Sequence, residues 1–234
     1  MHRFVWNLHY PAPDSVQHEY PISAIYHDTP RYPLGPSALP GRYSIKLTAN
    51  GKTYTQPLTV KMDPRVKTSP EDLRAQFELE SKISDAMHRS YAALQQVRGL
   101  RQQLGKLKGH AGGLESDVNS LEQKIAELEG TEEGSTFLST PQGRSLTRLN
   151  IALNTLLSSV DAADAAPTPS QANMLTQINS ALEAQFSVWK ELKAKQVPAL
   201  NQRLKNNRLQ PLNPETAAAI EHTWRDPEKA VGEE

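Results

Sequence analysis

The amino-acid composition changes abruptly at Asp63-Pro64, and this change most constrains what the chain can fold into. Eight of the fourteen Phe, Trp and Tyr residues and eight of the seventeen prolines lie in the first 62 positions. Beyond that point apolar residues recur every three or four positions, as they do on amphipathic helices. The sequence therefore predicts a strand-rich part over residues 1–66, a helical part over residues 67–226 and a frayed tail over residues 227–234.

Alternating apolar and polar residues predict several short strands in the first part. These are Arg3–Tyr10, Gly41–Ala49 and Lys52–Met62, with a further short strand at Ile22–His27. Asn50-Gly51 tolerates the positive φ angles of a type I′ turn, which predicts a hairpin between the second and third of these segments. Pro57 lacks a ladder donor, so we expect it at an edge or a bulge.

The number of predicted strands is too small for an isolated immunoglobulin-type sandwich, which needs about seven. The chain also enters its first predicted strand by residue 3. We therefore expect a small, partial antiparallel β-sandwich whose earlier strands are absent, with an incomplete sheet edge. The alternative is a small sheet that covers its open face with the helical part, because three or more strands packed on helices can be stable.

The second part carries start and stop signals for four helices. A capping residue followed by proline opens the first, third and fourth helices, at Ser69-Pro70, Thr140-Pro141 and Thr168-Pro169. The glycine-rich run 109–113 must end the first helix, and Pro198 is expected to kink or end the fourth. Residues 211–224 predict one more short helix.

Apolar residues between Leu114 and Leu128 step by 4, 3, 4 and 3 positions, which predicts a coiled-coil-like seam on the second helix. This seam could pair within the chain or with another chain. Amphipathic helices with mostly short connections favour an antiparallel, mainly four-helix bundle. The predicted fold class is therefore α+β, multidomain, with the partial sandwich followed by the bundle.

The residue types and spacings do not indicate an active site. The chain has no cysteine, and its seven histidines form neither an HxxxH nor an HExxH pair. Nucleophile-elbow and phosphate-binding glycine motifs are absent from the sequence. We therefore predict no catalytic residue, no cofactor and no metal ligand on this chain. The residues that we single out for binding are Tyr26 and Tyr32, whose rings could stack on sugars or pack over the strands.

Charge and hydropathy exclude two further classes of partner. The 26 basic and 26 acidic residues balance, and the sequence lacks the clustered basic surface that nucleic-acid binding by counterion release requires. No run of 18 apolar residues occurs, so no membrane-spanning segment is predicted.

Several stretches of the sequence carry a resemblance to a known family. They are Arg3–Pro11, Pro21–Tyr26, Leu39–Leu47, Asn50–Val66, Thr140–Asn150 and Val197–Asn201. These stretches resemble the C-terminal region of large bacterial exported proteins with sortilin-like or BNR-repeat β-propellers, which are often labelled glycosyl hydrolases. The resemblance implies an Ig-like domain followed by a helical region, and a periplasmic or extracellular location.

The propeller of that family is absent from this sequence, and no Asp-box of the form S-x-D-x-G-x-T-W occurs. No catalytic residue can therefore be carried over from the resemblance. We expect a non-catalytic interaction or scaffold module that binds protein, either an upstream propeller domain or a second copy of the chain, through apolar helix faces and the incomplete sheet edge. The alternative is an accessory module that holds polysaccharide for a hydrolase.

Overall fold

The structure is a computed structural model that describes residues 4–18, 29, 31–131 and 142–218. It is an α+β protein, as predicted, with α-helices and a two-stranded antiparallel sheet. The chain divides into two compact units, one formed by Met1–Tyr91 with Arg148–Glu183 and the other by Ala92–Thr147 with Ala184–Glu234.

The predicted hairpin is confirmed and belongs to the first unit. Strand β1 (Gly41–Ala49) pairs antiparallel with strand β2 (Lys52–Val60) in a continuous register from Gly41↔Val60 to Ala49↔Lys52. Asn50 and Gly51 have φ angles of 50° and 74°, and a type I′ turn requires positive values at both positions. Both strands are edges of this sheet, which accommodates the missing donor of Pro57.

The predicted strand Arg3–Tyr10 is wrong over its described residues. Residues 4–10 form only an isolated bridge, His9↔Ser37, flanked by hydrogen bonds from Ala38 N to Leu8 O and from Tyr10 N to Pro36 O. Leu8 adopts a φ angle of 61°, which interrupts an extended strand. The predicted strand Ile22–His27 lies outside the described residues.

Helix α1 (Pro70–Leu107) begins where its capping signal predicts. The Ser69 hydroxyl accepts a hydrogen bond from Asp72 N at 3.1 Å and donates one to the Asp72 carboxylate at 2.8 Å, while Pro70 fills the first helical position. The helix ends before Gly109, whose φ angle of 78° suits glycine and terminates the helical path. The first 22 or so residues of α1 belong to the first unit and the rest to the second.

Helix α2 (Glu115–Glu129) returns alongside α1 in the second unit. Arg98 pairs with Glu129, and Lys108 pairs with Glu122, so the two helices run antiparallel. The predicted seam is buried within the chain: all five of its apolar residues are at most 5% exposed, namely Leu114, Val118, Leu121, Ile125 and Leu128. The seam therefore packs intramolecularly.

Helix α3 (Leu146–Val160) follows a 3₁₀ turn at Gln142–Arg144 and lies antiparallel to α1 in the first unit. Its predicted start at Thr140-Pro141 lies outside the described residues. The direction follows from two contacts: Asn150 meets Ser90 at 3.0 Å, whereas Val160 O accepts from Gln76 Nε2 at 3.0 Å.

Helix α4 (Pro169–Glu191) begins with a capping box in which Thr168 and Gln171 exchange hydrogen bonds. It continues without a break into a π-helical segment (Leu192–Gln196) and helix α5 (Val197–Asn206). Pro198 was expected to kink or end the helix, and the structure places it in the first turn of α5 instead. The widened turn before it accommodates the ring and the missing N–H of Pro198.

Residues 211–218 do not form the predicted helix; they contain a turn and otherwise irregular backbone, and residues 219–224 lie outside the described residues. Two side-chain amides fix this segment. Asn201 exchanges hydrogen bonds with the backbone of Leu212 at 2.7 and 2.8 Å, and Gln103 does the same with the backbone of Asn213 at 2.8 and 2.9 Å. The segment then crosses α1 at Gly99, where a Cβ would lie 2.0 Å from Thr216 O.

The long helices are divided between the two units. The first unit has the beginning of α1, most of α3 and the beginning of α4. The second unit has the rest of α1, the whole of α2 and the continuous rod formed by the end of α4, the π segment and α5. A single four-helix bundle and a β-sandwich are not confirmed. In the part of the chain that the structure describes, no helix has the length and apolar character needed to cross a membrane.

Candidate functional site: an exposed hairpin face and a polar cluster at its base

One face of the hairpin carries three large apolar side chains that are open to solvent in the half near the turn. The register places Leu47 opposite Tyr54 and Ile45 two residues along the same face. Ile45 is 53% exposed, Leu47 is 60% exposed and Tyr54 is 55% exposed. We call these three residues the apolar patch. The alternative of a sheet covered by helices therefore does not hold for this half of the hairpin.

The other end of the same face, which we call the base of the hairpin, is covered by the N-terminal segment. The rings of Trp6 and Tyr43 meet edge to face with centroids 5.4 Å apart. Trp6 Nε1 donates to His9 O at 2.8 Å, and Tyr43 Oη donates to Leu39 O at 2.6 Å. These contacts fix the base and leave the patch near the turn uncovered.

Polar side chains from three segments meet beside the base. Ser37 Oγ donates to Asp161 Oδ1 at 2.8 Å, and His9 Nε2 lies 3.2 Å from Ser37 Oγ and 3.3 Å from the same carboxylate oxygen. His9 Nδ1 lies 2.9 Å from Asn7 O. Because a carbonyl only accepts hydrogen bonds, Nδ1 carries a proton in this arrangement.

A buried carboxylate from α1 continues the cluster. Glu80 is 0% exposed; it accepts from Ser37 N at 3.0 Å and from Gln76 Nε2 at 3.1 Å. The same Gln76 amide donates to Val160 O and Ala163 O. The cluster thus ties the segments around His9 and Ser37 to α1 and to the residues that follow α3.

The environment raises the pKa of two of these groups. The hydrogen bond to Asp161 raises the pKa of His9 above 6.5, although burial opposes the shift. Burial raises the pKa of Glu80 above 4.5, and its hydrogen bonds from Ser37 N and Gln76 oppose the shift. A protonated His9 can donate from Nε2 to Asp161 while Nδ1 donates to Asn7 O.

The cluster contains serine, histidine and aspartate but lacks the arrangement of a nucleophilic triad. In a triad the histidine lies between the serine and the acid, one on each ring nitrogen. Here Ser37 and Asp161 both face His9 Nε2, and the serine hydroxyl donates to the acid. The nearby backbone donors are also engaged, Ser37 N by Glu80 and Ala38 N by Leu8 O. The geometry fits a structural role better than that of a nucleophile. We call His9, Ser37, Glu80 and Asp161 the clasp, because their hydrogen bonds hold separate segments together.

A cavity of about 280 Å³ opens next to this clasp. Apolar residues such as Leu8, Met62 and Phe77 line it together with Glu80 and Lys61. It lies at the base of the hairpin and is small for a ligand site, since such sites usually measure about 300–1,000 Å³.

The structure places one of the two predicted binding tyrosines. Tyr32 is 37% exposed, in the segment that leads to Ser37, and Tyr26 lies outside the described residues. Among the described residues, no group of three or more His, Cys, Asp or Glu side chains is arranged to hold a metal ion. The clasp was missed from the sequence because His9, Ser37, Glu80 and Asp161 follow no common spacing, and only the folded chain brings them together.

Comparisons of the chain with protein-family models, with curated proteins and with solved structures gave no significant match.

Proposed function

We propose that this chain is a non-catalytic interaction module that binds a protein partner through the apolar patch of its hairpin. The observation that carries the proposal is the exposure of Ile45, Leu47 and Tyr54, each more than half exposed on one face of the sheet. A single exposed apolar residue is ordinary, but three adjoining ones on a two-stranded sheet are typical of an interaction surface.

The instability of isolated hairpins supports the same proposal. A two-stranded hairpin is marginally stable in water unless further strands or a packed face support it. Its strands also present unpaired backbone groups, to which an added strand can bind. We infer that a partner completes this sheet into an Ig-like sandwich, and that the helices form the antiparallel bundle that carries it.

The resemblance to exported propeller proteins suggests the larger protein to which this module belongs. In that setting the chain is the C-terminal part of a periplasmic or extracellular protein, and its partner is the preceding propeller domain or a second copy. The lack of a triad arrangement at Ser37, His9 and Asp161 favours binding over catalysis. A polysaccharide-holding role depends on Tyr32 among the described residues, and the experiment below includes it as an outcome.

The test uses the full chain and labelled synthetic strand peptides of about ten residues, the length of a typical strand with short flanks. The peptides alternate valine with polar residues, and a control peptide carries proline in place of the central polar residue. Binding is followed by fluorescence anisotropy. The variant Ile45→Ser/Leu47→Ser removes the patch, and Thr55→Ser/Thr59→Ser on the opposite face is the matched control.

We expect strand peptides to bind the wild type and the control variant, and to bind the patch variant at least about tenfold more weakly. Losing part of the burial of two aliphatic side chains accounts for about 1.4 kcal/mol or more, which is a factor of ten. If no strand peptide binds, or if the patch variant binds equally well, the proposal is wrong. Binding to a glycan panel that disappears in Tyr32→Ala would support the polysaccharide-holding role instead.

A further inference from the structure

The hairpin region carries charges of one sign only. Between Gly41 and Met62 the sequence has four basic residues and no acidic residue, whereas the whole chain has equal numbers of both. The four are Arg42, Lys46, Lys52 and Lys61, and all four side chains are exposed. No carboxylate in the described ranges forms an ion pair with any of them.

These charges lie at both ends of the hairpin and on the face opposite the apolar patch. Lys52 lies opposite Ala49 on the same face as the patch, at the turn end. Arg42 and Lys46 lie on the opposite face of β1, and Lys61 directly follows β2. A strand is about 3.3 Å long per residue and neighbouring strands lie about 4.8 Å apart, so an added strand comes within a Debye length of several of these cations.

We propose that the partner of the apolar patch is an extended protein segment in which apolar residues alternate with Asp or Glu. This inference rests on the proposed function and adds the chemistry of the partner. Added to the sheet as a strand, such a segment places its apolar side chains on the face of Ile45, Leu47 and Tyr54 and its carboxylates on the other face, where Arg42 and Lys46 lie. Charge complementarity of this kind speeds association and sets specificity.

The same charges argue against a second copy of the hairpin as the occupant. Two hairpins that paired edge to edge or face to face would bring eight cations together without a single carboxylate from either hairpin. Like charges across neighbouring strands are destabilising. The aliphatic side chains of Ile45 and Leu47 also distinguish this surface from a single-stranded nucleic-acid site, where bases stack on aromatic rings.

The experiment compares three strand peptides that share the same alternating valines and differ at the positions between them. These positions carry Glu in the first peptide, Ser in the second and Lys in the third. Each peptide is titrated into the full chain at about 50 mM and about 500 mM salt. An oligothymidylate serves as a polyanion without apolar side chains.

We expect the Glu peptide to bind about tenfold or more tightly than the Ser peptide at low salt, and this advantage to shrink at high salt. Arg42→Gln/Lys46→Gln, which removes the two cations on the face opposite the patch, should remove most of the advantage. Arg74→Gln/Lys82→Gln on α1 is the matched control with the same loss of charge, and it should retain more of the advantage.

The outcomes separate the two proposals. Equal binding of the three peptides, or tighter binding of the Lys peptide, overturns the acidic partner and leaves the interaction module intact. Binding of none of them overturns both. Oligothymidylate that binds as tightly as the Glu peptide and does not respond to Ile45→Ser/Leu47→Ser overturns the protein partner in favour of nucleic acid.

Discussion

The contact of the 211–218 segment with Gly99 leads to a prediction with an unexpected sign. Replacing an interior helical glycine by alanine normally stabilises a helix by about 1 kcal/mol. At Gly99, however, the new Cβ would lie 2.0 Å from Thr216 O and 2.9 Å from Ala218 N. Both are backbone atoms, so no side-chain rotation relieves the overlap. We expect Gly99→Ala to destabilise the protein.

The size of the expected destabilisation follows from the backbone that must move to make room for the new Cβ. Restoring an ordinary contact requires the segment to shift by more than an ångström, which strains the hydrogen bond from Ala218 N to Gln95 O and the two bonds between Gln103 and Asn213. Each such bond contributes about 1 kcal/mol net, and overpacking costs about 1–3 kcal/mol. After the gain in helix propensity, the free energy of unfolding should fall by about 1–3 kcal/mol.

Gly105 provides a matched control on the same helix. It is exposed in the last turn of α1, and a Cβ there would meet nothing within 4 Å. Gly105→Ala should therefore stabilise the protein by up to about 1 kcal/mol. The two variants are compared by urea denaturation followed by circular dichroism. A Gly99→Ala protein at least as stable as the wild type would refute the packing argument, whatever Gly105→Ala does.

Three further predictions concern the first unit. The hydrogen bond to Asp161 stabilises protonated His9. Its contribution to the free energy of unfolding is present below pH 6.5 and is lost as the pH rises through the raised pKa of the folded state. Between about pH 6 and about pH 8, urea denaturation should therefore show a larger loss of stability for the wild type than for His9→Gln, and equal losses would contradict the assignment. Asn150 is fully buried and accepts a hydrogen bond from Val16 N at 2.9 Å. By the same measurement, Asn150→Ala should lower the free energy of unfolding by about 1–3 kcal/mol. The control Asn119→Ala, at an exposed position, should lower it by about 0.5 kcal/mol or less. The exposed patch should contribute little to the stability of the unbound chain, so Ile45→Ser/Leu47→Ser should change its free energy of unfolding by about 0.5 kcal/mol or less, and a large loss would show that the patch is part of the core.

Local signals in the sequence predicted the structure well. The cap at Ser69, the turn at Asn50-Gly51 and the break near Gly109 each depend on the conformational preferences of a few neighbouring residues. The seam on α2 was also predictable, because its spacing alone determines which face is apolar. Its pairing partner was left open by the sequence, and the ion pairs to α1 identify it.

Features that depend on distant residues could not be predicted in this way. The alternation at residues 3–10 resembles a strand, but a strand needs a neighbour, and residues 4–10 find only the single bridge at His9. The π segment before Pro198 widens the turn ahead of the proline, so the helix continues where the proline alone predicted a kink or an end. The clasp of His9, Ser37, Glu80 and Asp161 joins residues up to 152 positions apart.

The two amide clamps at Asn201 and Gln103 bind peptide groups, since both partners of each amide are the N–H and C=O of one residue, Leu212 or Asn213. Such recognition does not depend on the identity of the side chain that the bound residue carries. Other contacts of the segment do depend on side chains: Leu212 and Ala218 are buried, and Glu215 accepts hydrogen bonds from Gln96 and Lys193. Homologous chains should therefore keep Asn201, Gln103 and Gly99 and vary more freely at position 213, which is held through its backbone.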